Sequence, residues 1–143
     1  KNKKETDATI KDGWLYTGDL GYYDDDHKFY IVDRLKELIK YKAFQVPPAE
    51  LEGLLLAHPK IKDAGVIGIA DDDAGELPFA FIVKQPGEDL NELEVKDFVK
   101  KNASSPKWLR GGVKFIEEIP KNPSGKILRR ELRELFKSMK SKL

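Results

Sequence analysis

The feature that most constrains the fold is a pair of apolar runs separated by an acidic turn. Residues 64–69 and 79–83 are rich in aliphatic and aromatic side chains, and residues 71–75 between them read Asp-Asp-Asp-Ala-Gly. Continuous apolar runs bounded by turn residues are typical of strands buried in a core. The sequence therefore predicts a buried β-hairpin over 64–70 and 77–84.

Three segments with a helical pattern are available to cover that hairpin. Apolar residues recur at helical spacing in 48–58, 90–99 and 127–139, and Pro48 suits the first turn of the first of these helices. Short extended pieces are predicted within 38–46, and one further strand at 113–116. A small sheet with about three helices packed on it belongs to the α+β class.

The N-terminal part of the chain has a different character. Strand-type aromatic residues in 14–23 and 29–32 predict a β-hairpin with its turn at 24–27. A two-stranded hairpin is only marginally stable in water, so this one is expected to lean on a partner outside the chain. Residues 1–12 are polar and are expected to be frayed or linker-like. The first residue is Lys rather than Met, which favours a fragment of a longer protein.

Composition excludes several kinds of site. The chain has no cysteine, which rules out disulfides, zinc–cysteine sites, iron–sulfur clusters and thiol catalysis. Two histidines, His27 and His58, are both predicted to lie in loops without catalytic partners, and they are too few for a histidine-rich metal site. A net charge of +1 disfavours a globally basic nucleic-acid-binding protein. No apolar run approaches the ~20 residues that a transmembrane helix needs.

Two motifs within the first 40 residues carry polar groups that suit a sugar or a phosphate. In Tyr16–Asp19 a carboxylate follows a glycine, and such a carboxylate can accept two hydrogen bonds from a sugar diol. In 32–40, Arg34 offers a rigid donor fork and Lys40 a mobile point charge. From these residues alone, a kinked strand and a solvated charged turn are the better interpretations.

Two motifs in the C-terminal part have similar alternatives. Residues 120–126, Pro-Lys-Asn-Pro-Ser-Gly-Lys, place a Gly-Lys pair at a loop-to-helix junction, but the first glycine of a P-loop is missing. The alternative is a loop with an exposed lysine. The final Ser141-Lys142-Leu143 matches a peroxisomal targeting tripeptide, and the alternative is a basic tail. Basic residues outnumber acidic ones in 126–143, which leaves open a non-catalytic module that binds nucleic acid.

Taken together, the motifs follow one another in a specific order: Tyr16–Asp19, Asp33–Lys36, Ile39–Lys42, Pro47–Glu52 and Pro120–Lys126. This order strongly resembles the C-terminal part of the adenylate-forming superfamily of acyl-CoA synthetases, coumarate ligases and beetle luciferases. The resemblance covers 12–143, and Leu109–Val113 with the C-terminal tripeptide is similar to the insect luciferase branch. It implies that 1–34 is the C-terminal end of a large N-terminal adenylation domain, and 35–143 a mobile C-terminal domain.

The resemblance implies an activity in two steps. Family members activate a carboxylate with ATP to an acyl-adenylate, and then transfer the acyl group to coenzyme A or oxidise the adenylate. It places Asp19 and Arg34 on the ribose of ATP or AMP, with Thr17 in the same nucleotide-binding motif. It also makes Lys126 the lysine that bridges carboxylate and phosphate oxygens during adenylation.

Other residues are implied in the change between the two steps. Lys36 matches the hinge about which the small domain rotates, and Lys40 and Gln45 match residues that face the active site in the second step. Ala43 stands where the family usually has glycine, close to the path of the second substrate, so a methyl group there is expected to crowd that path or restrict the backbone.

The interpretation that follows is the C-terminal part of an ATP-dependent acid–CoA ligase acting on a carboxylic acid, with a fatty acid as the expected substrate. The implied cofactors are ATP with Mg²⁺, held mainly by the N-terminal domain outside this chain, and coenzyme A. The expected partners are that domain and the peroxisomal import receptor, with no nucleic acid and no membrane span. The 143-residue chain alone is expected to be inactive. A beetle luciferase is the alternative within the family.

Overall fold

The computed structural model describes residues 2–141, and the chain divides after Glu37 into two compact units, Lys1–Glu37 and Leu38–Leu143. In its described residues, the first unit holds one short α-helix, a 3-10 turn at its end and two separate antiparallel strand pairs. The second holds a five-stranded sheet with three α-helices. This arrangement confirms the predicted α+β class.

The prediction that residues 1–12 are frayed or linker-like is wrong over 2–12. Helix α1 spans Lys3–Thr9, and the side chain of Asn2 accepts a hydrogen bond from the backbone N–H of Glu5 at 3.3 Å. A cap of this kind satisfies an N–H group that has no partner within the first helical turn. Local hydrogen bonding therefore orders a segment whose composition is polar.

A two-residue turn at Asp12-Gly13 follows this helix and joins strands β1 (Ile10–Lys11) and β2 (Trp14–Leu15). Asp12 has a φ of 52° and Gly13 a φ of 81°. Both values lie in the left-handed region that tight hairpin turns require, and Asp-Gly is a residue pair that favours such turns. Trp14 and Leu15 consequently pair with β1 rather than with the predicted aromatic hairpin.

The prediction of an aromatic hairpin with its turn near 24–27 is confirmed. Strand β3 (Asp19–Tyr23) pairs antiparallel with β4 (Phe29–Arg34), and residues 24–28 form the connection, one residue more than the predicted turn. Tyr22 and Tyr30 are directly opposite each other, with their rings stacked at 5.0 Å between centroids. Cross-strand aromatic pairs of this kind stabilise a hairpin beyond its backbone hydrogen bonds.

We expect the hairpin turn to lose a stabilising contact in acid. Asp24 accepts hydrogen bonds from the backbone N–H of Lys28 at 2.9 Å and from the Tyr30 hydroxyl at 2.8 Å, and these contacts hold its pKa below the ordinary value of 3.8. Because the folded-state pKa is lowered, the stabilisation is present above pH 3.8 and disappears as the pH falls through the folded-state pKa. An NMR titration of Tyr30→Phe should find the Asp24 pKa closer to its ordinary value; an unchanged pKa would contradict the assignment.

The second unit is built on the predicted buried hairpin. Its strands are β5 (Ile39–Tyr41), β6 (Phe44–Val46), β7 (Ile61–Asp71), β8 (Gly75–Lys84) and β9 (Gly112–Phe115). Strands β7 and β8 pair antiparallel, β9 pairs parallel to β8, and β5 pairs with β8 near the start of β8, with β6 on the outer side of β5. The prediction of a hairpin over 64–70 and 77–84 is confirmed.

Three α-helices cover this sheet, as predicted. They are α2 (Pro48–Leu56), α3 (Glu92–Asn102) and α4 (Arg129–Lys140). Side chains alternate between the two faces of a strand. In β8, Ala80 and Ile82 therefore belong to one buried cluster, whereas Phe79 and Phe81 belong to another. The first cluster includes residues of α2 and α3, and the second includes residues of α4.

Helix α4 approaches β7 very closely at one glycine. A Cβ atom on Gly65 would lie 2.7 Å from Cδ1 of Leu132, which is fully buried. The absence of a side chain at Gly65 therefore lets the helix rest directly on the strand. Among residues 2–141, no helix combines the length and the apolar character that crossing a membrane demands.

Candidate functional site

Asp19 and Arg34, the predicted nucleotide contacts, lie side by side in the first unit. They are register partners at the ends of β3 and β4, and Nε of Arg34 is 3.6 Å from Oδ1 of Asp19. The hydroxyl of Thr17 accepts the backbone N–H of Asp19 at 3.2 Å. Gly18, with a φ of 76°, presents its carbonyl to the N–H of Leu35 at 2.9 Å. The strand pairing therefore holds a carboxylate beside a guanidinium in a fixed frame.

This pair has the chemistry to bind a vicinal diol. A carboxylate accepts hydrogen bonds from hydroxyl groups, whereas a guanidinium only donates them. The two side chains retain exposure of 30% for Asp19 and 49% for Arg34, so each has free hydrogen-bonding capacity. Neither Asp19 nor Arg34 is buried, and the turn at Gly18 leaves the backbone accessible to a ligand.

Lys40 and Gln45, the residues predicted for the second step, are direct cross-strand partners in the second unit. They face each other across β5 and β6, so both exposed side chains point to the same face of this small hairpin. The backbone N–H of Lys40 donates to Oε2 of Glu76 at 2.8 Å, which fixes β5 beside β8. Pairing and this hydrogen bond give the two side chains a common, rigid base.

The loop that carries Lys126 is organised by one side chain. Oδ1 of Asn122 accepts hydrogen bonds from the N–H of Lys126 at 2.8 Å, the hydroxyl of Ser124 at 2.8 Å and the N–H of Ser124 at 3.1 Å. Gly125 has a φ of 82°, and a bridge between residues 121 and 127 closes the loop. The ammonium group of Lys126 is exposed and makes no hydrogen bond or ion pair with residues 2–141. The loop therefore projects an unpaired cation from a fixed backbone.

The remaining predicted residues lie at the ends of elements. Lys36 is exposed in a 3-10 helix over Leu35–Glu37, whose last residue is also the last of the first unit. Ser141 follows α4, and its hydroxyl donates to the carbonyl of Ser138 at 3.0 Å. Lys142 and Leu143, the other two residues of the predicted targeting tripeptide, lie outside the described residues.

Within each unit, strand pairing brings two of the predicted residues together. Asp19 and Arg34 are adjacent in the first unit, and Lys40 and Gln45 are adjacent in the second. Lys126 lies on a different element of the second unit, in the loop before α4. Lys40 and Lys126, which are predicted to act in two different steps, therefore lie on two different structural elements.

Two buried polar clusters escaped prediction from the sequence. One joins Glu52 of α2 to Arg129 of α4, with Oε2 and Nη2 2.7 Å apart and both side chains about nine-tenths buried. Arg129 is one of the basic residues of 126–143, whose excess of positive charge by itself suggests an exposed face. Its spacing from Leu132 and Phe136, at i+3 and i+7, was a signal that it lies on the apolar face.

The second missed cluster surrounds His58. His58 lies in a bend after α2, as predicted, but it is buried and has partners, with its ring edge-on to Phe98 at 4.8 Å between centroids. Its Nε2 lies 3.8 Å from Oε1 of Glu94, and that carboxylate also binds Nζ of Lys60 at 2.9 Å. The hydrogen bond with Glu94 raises the pKa of Lys60, so the lysine stays charged. This cluster fastens the end of α2 to α3.

Residues 2–141 contain no group of three or more His, Cys, Asp or Glu side chains that could hold a metal ion. The family resemblance assigns Mg²⁺ mainly to the N-terminal domain, which lies outside this chain.

Comparison with known proteins identifies the family of this fold and site. The model of the AMP-binding enzyme C-terminal domain matches residues 50–126. Luciferin 4-monooxygenase of Photuris pensylvanica is 61% identical over 99% of this chain and 26% of its own length. 4-Coumarate:CoA ligase 1 of Petunia hybrida is 59% identical over 90% of this chain and 24% of its own length. The chain therefore spans about a quarter of the curated relatives it matches.

Solved structures give the same answer for the fold. ATP-bound MatB from Rhodopseudomonas palustris superposes with a TM-score of 0.88 at 30% identity, over 96% of this chain and 27% of that one. The o-succinylbenzoate CoA synthetase MenE of Bacillus subtilis, in complex with its acyl-adenylate intermediate, gives a TM-score of 0.79 at 35% identity. That match covers 88% of this chain and 25% of that one. Because the family model also matches more than half of its length, the chain belongs to the family of AMP-binding enzyme C-terminal domains, found in adenylate-forming enzymes such as luciferases and 4-coumarate:CoA ligases.

Proposed function

We propose that this chain is the C-terminal part of an ATP-dependent acid–CoA ligase, which adenylates a carboxylic acid and then transfers the acyl group to coenzyme A. The observation that carries the proposal is Lys126, an unpaired cation held on a loop whose backbone Asn122 fixes. Asp19 and Arg34 supply the matching ribose contacts on a separate unit. The N-terminal domain that completes the site lies outside this chain, so the chain alone is expected to be inactive.

The first step needs a cation at the reacting atoms. When a carboxylate attacks the α-phosphate of ATP, two anions approach each other and negative charge builds on the transferring phosphoryl oxygens. A preorganised lysine stabilises that transition state more than the separated reactants, which is what lowers the barrier. The free ammonium group of Lys126 suits this role because the described residues do not neutralise it.

The second step needs Lys126 out of the way and another surface in its place. Lys40 and Gln45 form that surface in the proposal, since they share one face of the hairpin of β5 and β6. A rotation of the second unit about Lys36 would withdraw Lys126 from the reacting atoms and bring the face with Lys40 and Gln45 there between the half-reactions. The division of the chain directly after Glu37 is the observation that favours a hinge at this place.

The test of the proposal is ATP–pyrophosphate exchange by the full-length protein, run against a panel of fatty acids and luciferin. We expect acid-dependent exchange, followed by thioester formation when coenzyme A is added. Exchange with fatty acids and no light would support the ligase. An absence of acid-dependent exchange with every acid in the panel would contradict the proposed chemistry.

A luciferase that adenylates and oxidises luciferin is the second candidate. The 61% identity to luciferin 4-monooxygenase of Photuris pensylvanica favours it, whereas the 59% identity to 4-coumarate:CoA ligase 1 of Petunia hybrida favours the ligase. The acid is selected by residues outside this chain in either case. Light emission with luciferin, ATP and oxygen in the same assay separates the two candidates.

The position of Ala43 bears directly on the second step. The residue of the turn with positive φ is Lys42, at 51°, and not Ala43, so the alanine methyl group causes no backbone strain. Only crowding of the incoming thiol substrate then remains as an effect of the methyl group. We expect Ala43→Gly in the full-length ligase to raise thioester formation from supplied acyl-adenylate by about two- to ten-fold. The rate of pyrophosphate exchange should stay the same, and an unchanged thioester rate would contradict the crowding.

A peroxisomal location and binding to the import receptor are part of the proposal, and they rest on Ser141-Lys142-Leu143. A nucleic-acid-binding module is the alternative of another class, based on the basic residues of α4. That helix buries Leu132 against β7, so its apolar face is already used in the fold. Nucleic-acid binding that weakens steeply with salt would be needed to revive this alternative.

A further inference from the structure

We propose that Asn122 and the buried pair of Glu52 and Arg129 are positioning residues that set the place of Lys126 for adenylation. The inference rests on the proposed function, in which Lys126 acts in the first step. It adds residues that do not touch the substrates but determine where the cation lies. Three independent sets of contacts support it, within the loop, before it and after it.

Within the loop, the side chain of Asn122 is the main acceptor of hydrogen bonds. Its Oδ1 accepts the N–H of Lys126 itself, as well as two groups of Ser124. The backbone of Asn122 adds two hydrogen bonds, since its N–H donates to the carbonyl of Lys126 at 2.9 Å and its carbonyl accepts the N–H of Gly125 at 2.9 Å. The backbone N–H and C=O of Lys126 are therefore both held by a single residue, Asn122.

Before the loop, two contacts fix its entry. Nζ of Lys121 lies 2.6 Å from Oδ2 of Asp63 on β7. The carbonyl of Pro120 accepts the N–H of Leu128 at 2.9 Å, which closes the base of the loop from the other side. The base of the loop is therefore attached to the sheet.

After the loop, the buried ion pair fixes its exit. Oε1 of Glu52 accepts the N–H of Val66 at 2.9 Å, while its Oε2 binds Nη2 of Arg129 at 2.7 Å. Nε of Arg129 donates to the carbonyl of Val66 at 3.3 Å. The two side chains and the backbone N–H and C=O of Val66 therefore form a closed ring of hydrogen bonds. This ring joins α2, β7 and the first residue of α4.

The energetics favour a role in geometry over a role in stability. A buried ion pair gains little net stability, because the attraction between the charges has to offset the loss of their hydration. Removing one partner, however, leaves a buried charge and lets the element shift. Since α4 starts only three positions after Lys126, a shift of Arg129 is transmitted to the loop. A displacement of about 1 Å at a catalytic group can cost about 100-fold in rate.

The proposal makes a prediction specific to one half-reaction. Asn122→Leu in the full-length enzyme removes the acceptor and should lower pyrophosphate exchange by about 10- to 100-fold, with thioester formation from supplied acyl-adenylate within about two-fold. Asn122→Asp keeps an acceptor oxygen of the same reach and should restore most of the exchange. Asn91→Leu is the matched control, because the Asn91 side chain caps α3 by accepting the N–H of Glu94 at 3.0 Å. It should leave the ratio of the two rates unchanged.

The ion pair has a matched control on the same helix. Glu52→Gln should lower exchange selectively, whereas Glu50→Gln, which breaks the exposed pair of Glu50 with Lys107, should not. In a Lys126→Ala background, neither Asn122→Leu nor Glu52→Gln should lower exchange further, since positioning has no effect on an absent group. Thermal melting of each variant reports whether folding has changed.

Each outcome distinguishes the inference from the proposed function. Equal loss in both half-reactions for Asn122→Leu, or an additive loss in the Lys126→Ala background, would overturn the positioning role. Full exchange in Asn122→Leu and Glu52→Gln, with exchange lost in Lys126→Ala, would overturn the inference and leave the proposed function intact. Full exchange in Lys126→Ala would overturn the proposed function itself.

Discussion

Replacing Lys126 by alanine in the full-length protein is expected to lower acyl-adenylate formation by about 100- to 1,000-fold. The reason is that the transition state accumulates negative charge where the lysine would lie, and no other group on this loop carries a cation free for the role. Lys121, the neighbouring lysine at the base of the loop, is bound to Asp63. The measurement is ATP–pyrophosphate exchange at saturating acid and ATP.

The second half-reaction provides the internal control for this variant. Thioester formation from supplied acyl-adenylate should be spared, because Lys126 is proposed to act only in the first step. Lys62→Ala, which removes an exposed lysine from β7, should leave both rates unchanged. An equal loss of both half-reactions in Lys126→Ala would show that the residue supports the fold, and would remove its catalytic assignment.

Replacing Phe81 by alanine is expected to destabilise the second unit by about 3–5 kcal/mol. Phe81 is 0% exposed in the middle of β8, and its ring packs against Phe79 at 5.1 Å between centroids, on the face that α4 covers. Truncation removes apolar contacts and leaves a cavity that the flanking strands β7 and β9 limit from closing. Such a loss is a large part of the stability of a small domain.

Urea unfolding followed by tryptophan fluorescence measures this effect. In a Trp14→Phe background, Trp108 alone reports on the second unit, where its indole N–H donates to the carbonyl of Ala103 at 3.1 Å. Phe44→Ala is the matched control, because Phe44 lies in the same unit but is 55% exposed. It should change the free energy of unfolding by less than about 0.5 kcal/mol. Similar losses in the two variants would contradict the assigned core.

The fold was predictable where hydrophobic pattern and turn chemistry agree. The buried hairpin of β7 and β8 and the three helices that follow the helical period all appear where the sequence places them. The ordered segment at 2–12 was missed because its order comes from two local features, a cap by Asn2 and a turn at Asp12-Gly13. Short-range hydrogen bonds of this kind leave little trace in a hydrophobic pattern.

The sequence supplied the candidate site residues as a prediction, but only part of their geometry. The motifs around Asp19, Lys40 and Lys126 can be recognised in the sequence because they combine glycine or proline with charged residues. Their relation in space is different for each: strand register makes Asp19 the partner of Arg34, and Lys40 the partner of Gln45. Register depends on which strands pair and where they turn, and a sequence motif alone does not specify it.

The sequence by itself determined the class of fold and the order of the main strands and α-helices from residue 19 onward, and it marked candidate residues whose chemistry suits a nucleotide and a carboxylate. Only the tertiary structure decided that Glu52 and Arg129 meet in the interior, and that the Lys126 loop stands on β7 between two fixed ends. The physical reason is that propensity and periodicity act over a few residues, whereas Glu52 and Arg129 are 77 positions apart. Such a pair forms only when packing of α4 against Gly65 brings two distant parts of the chain together.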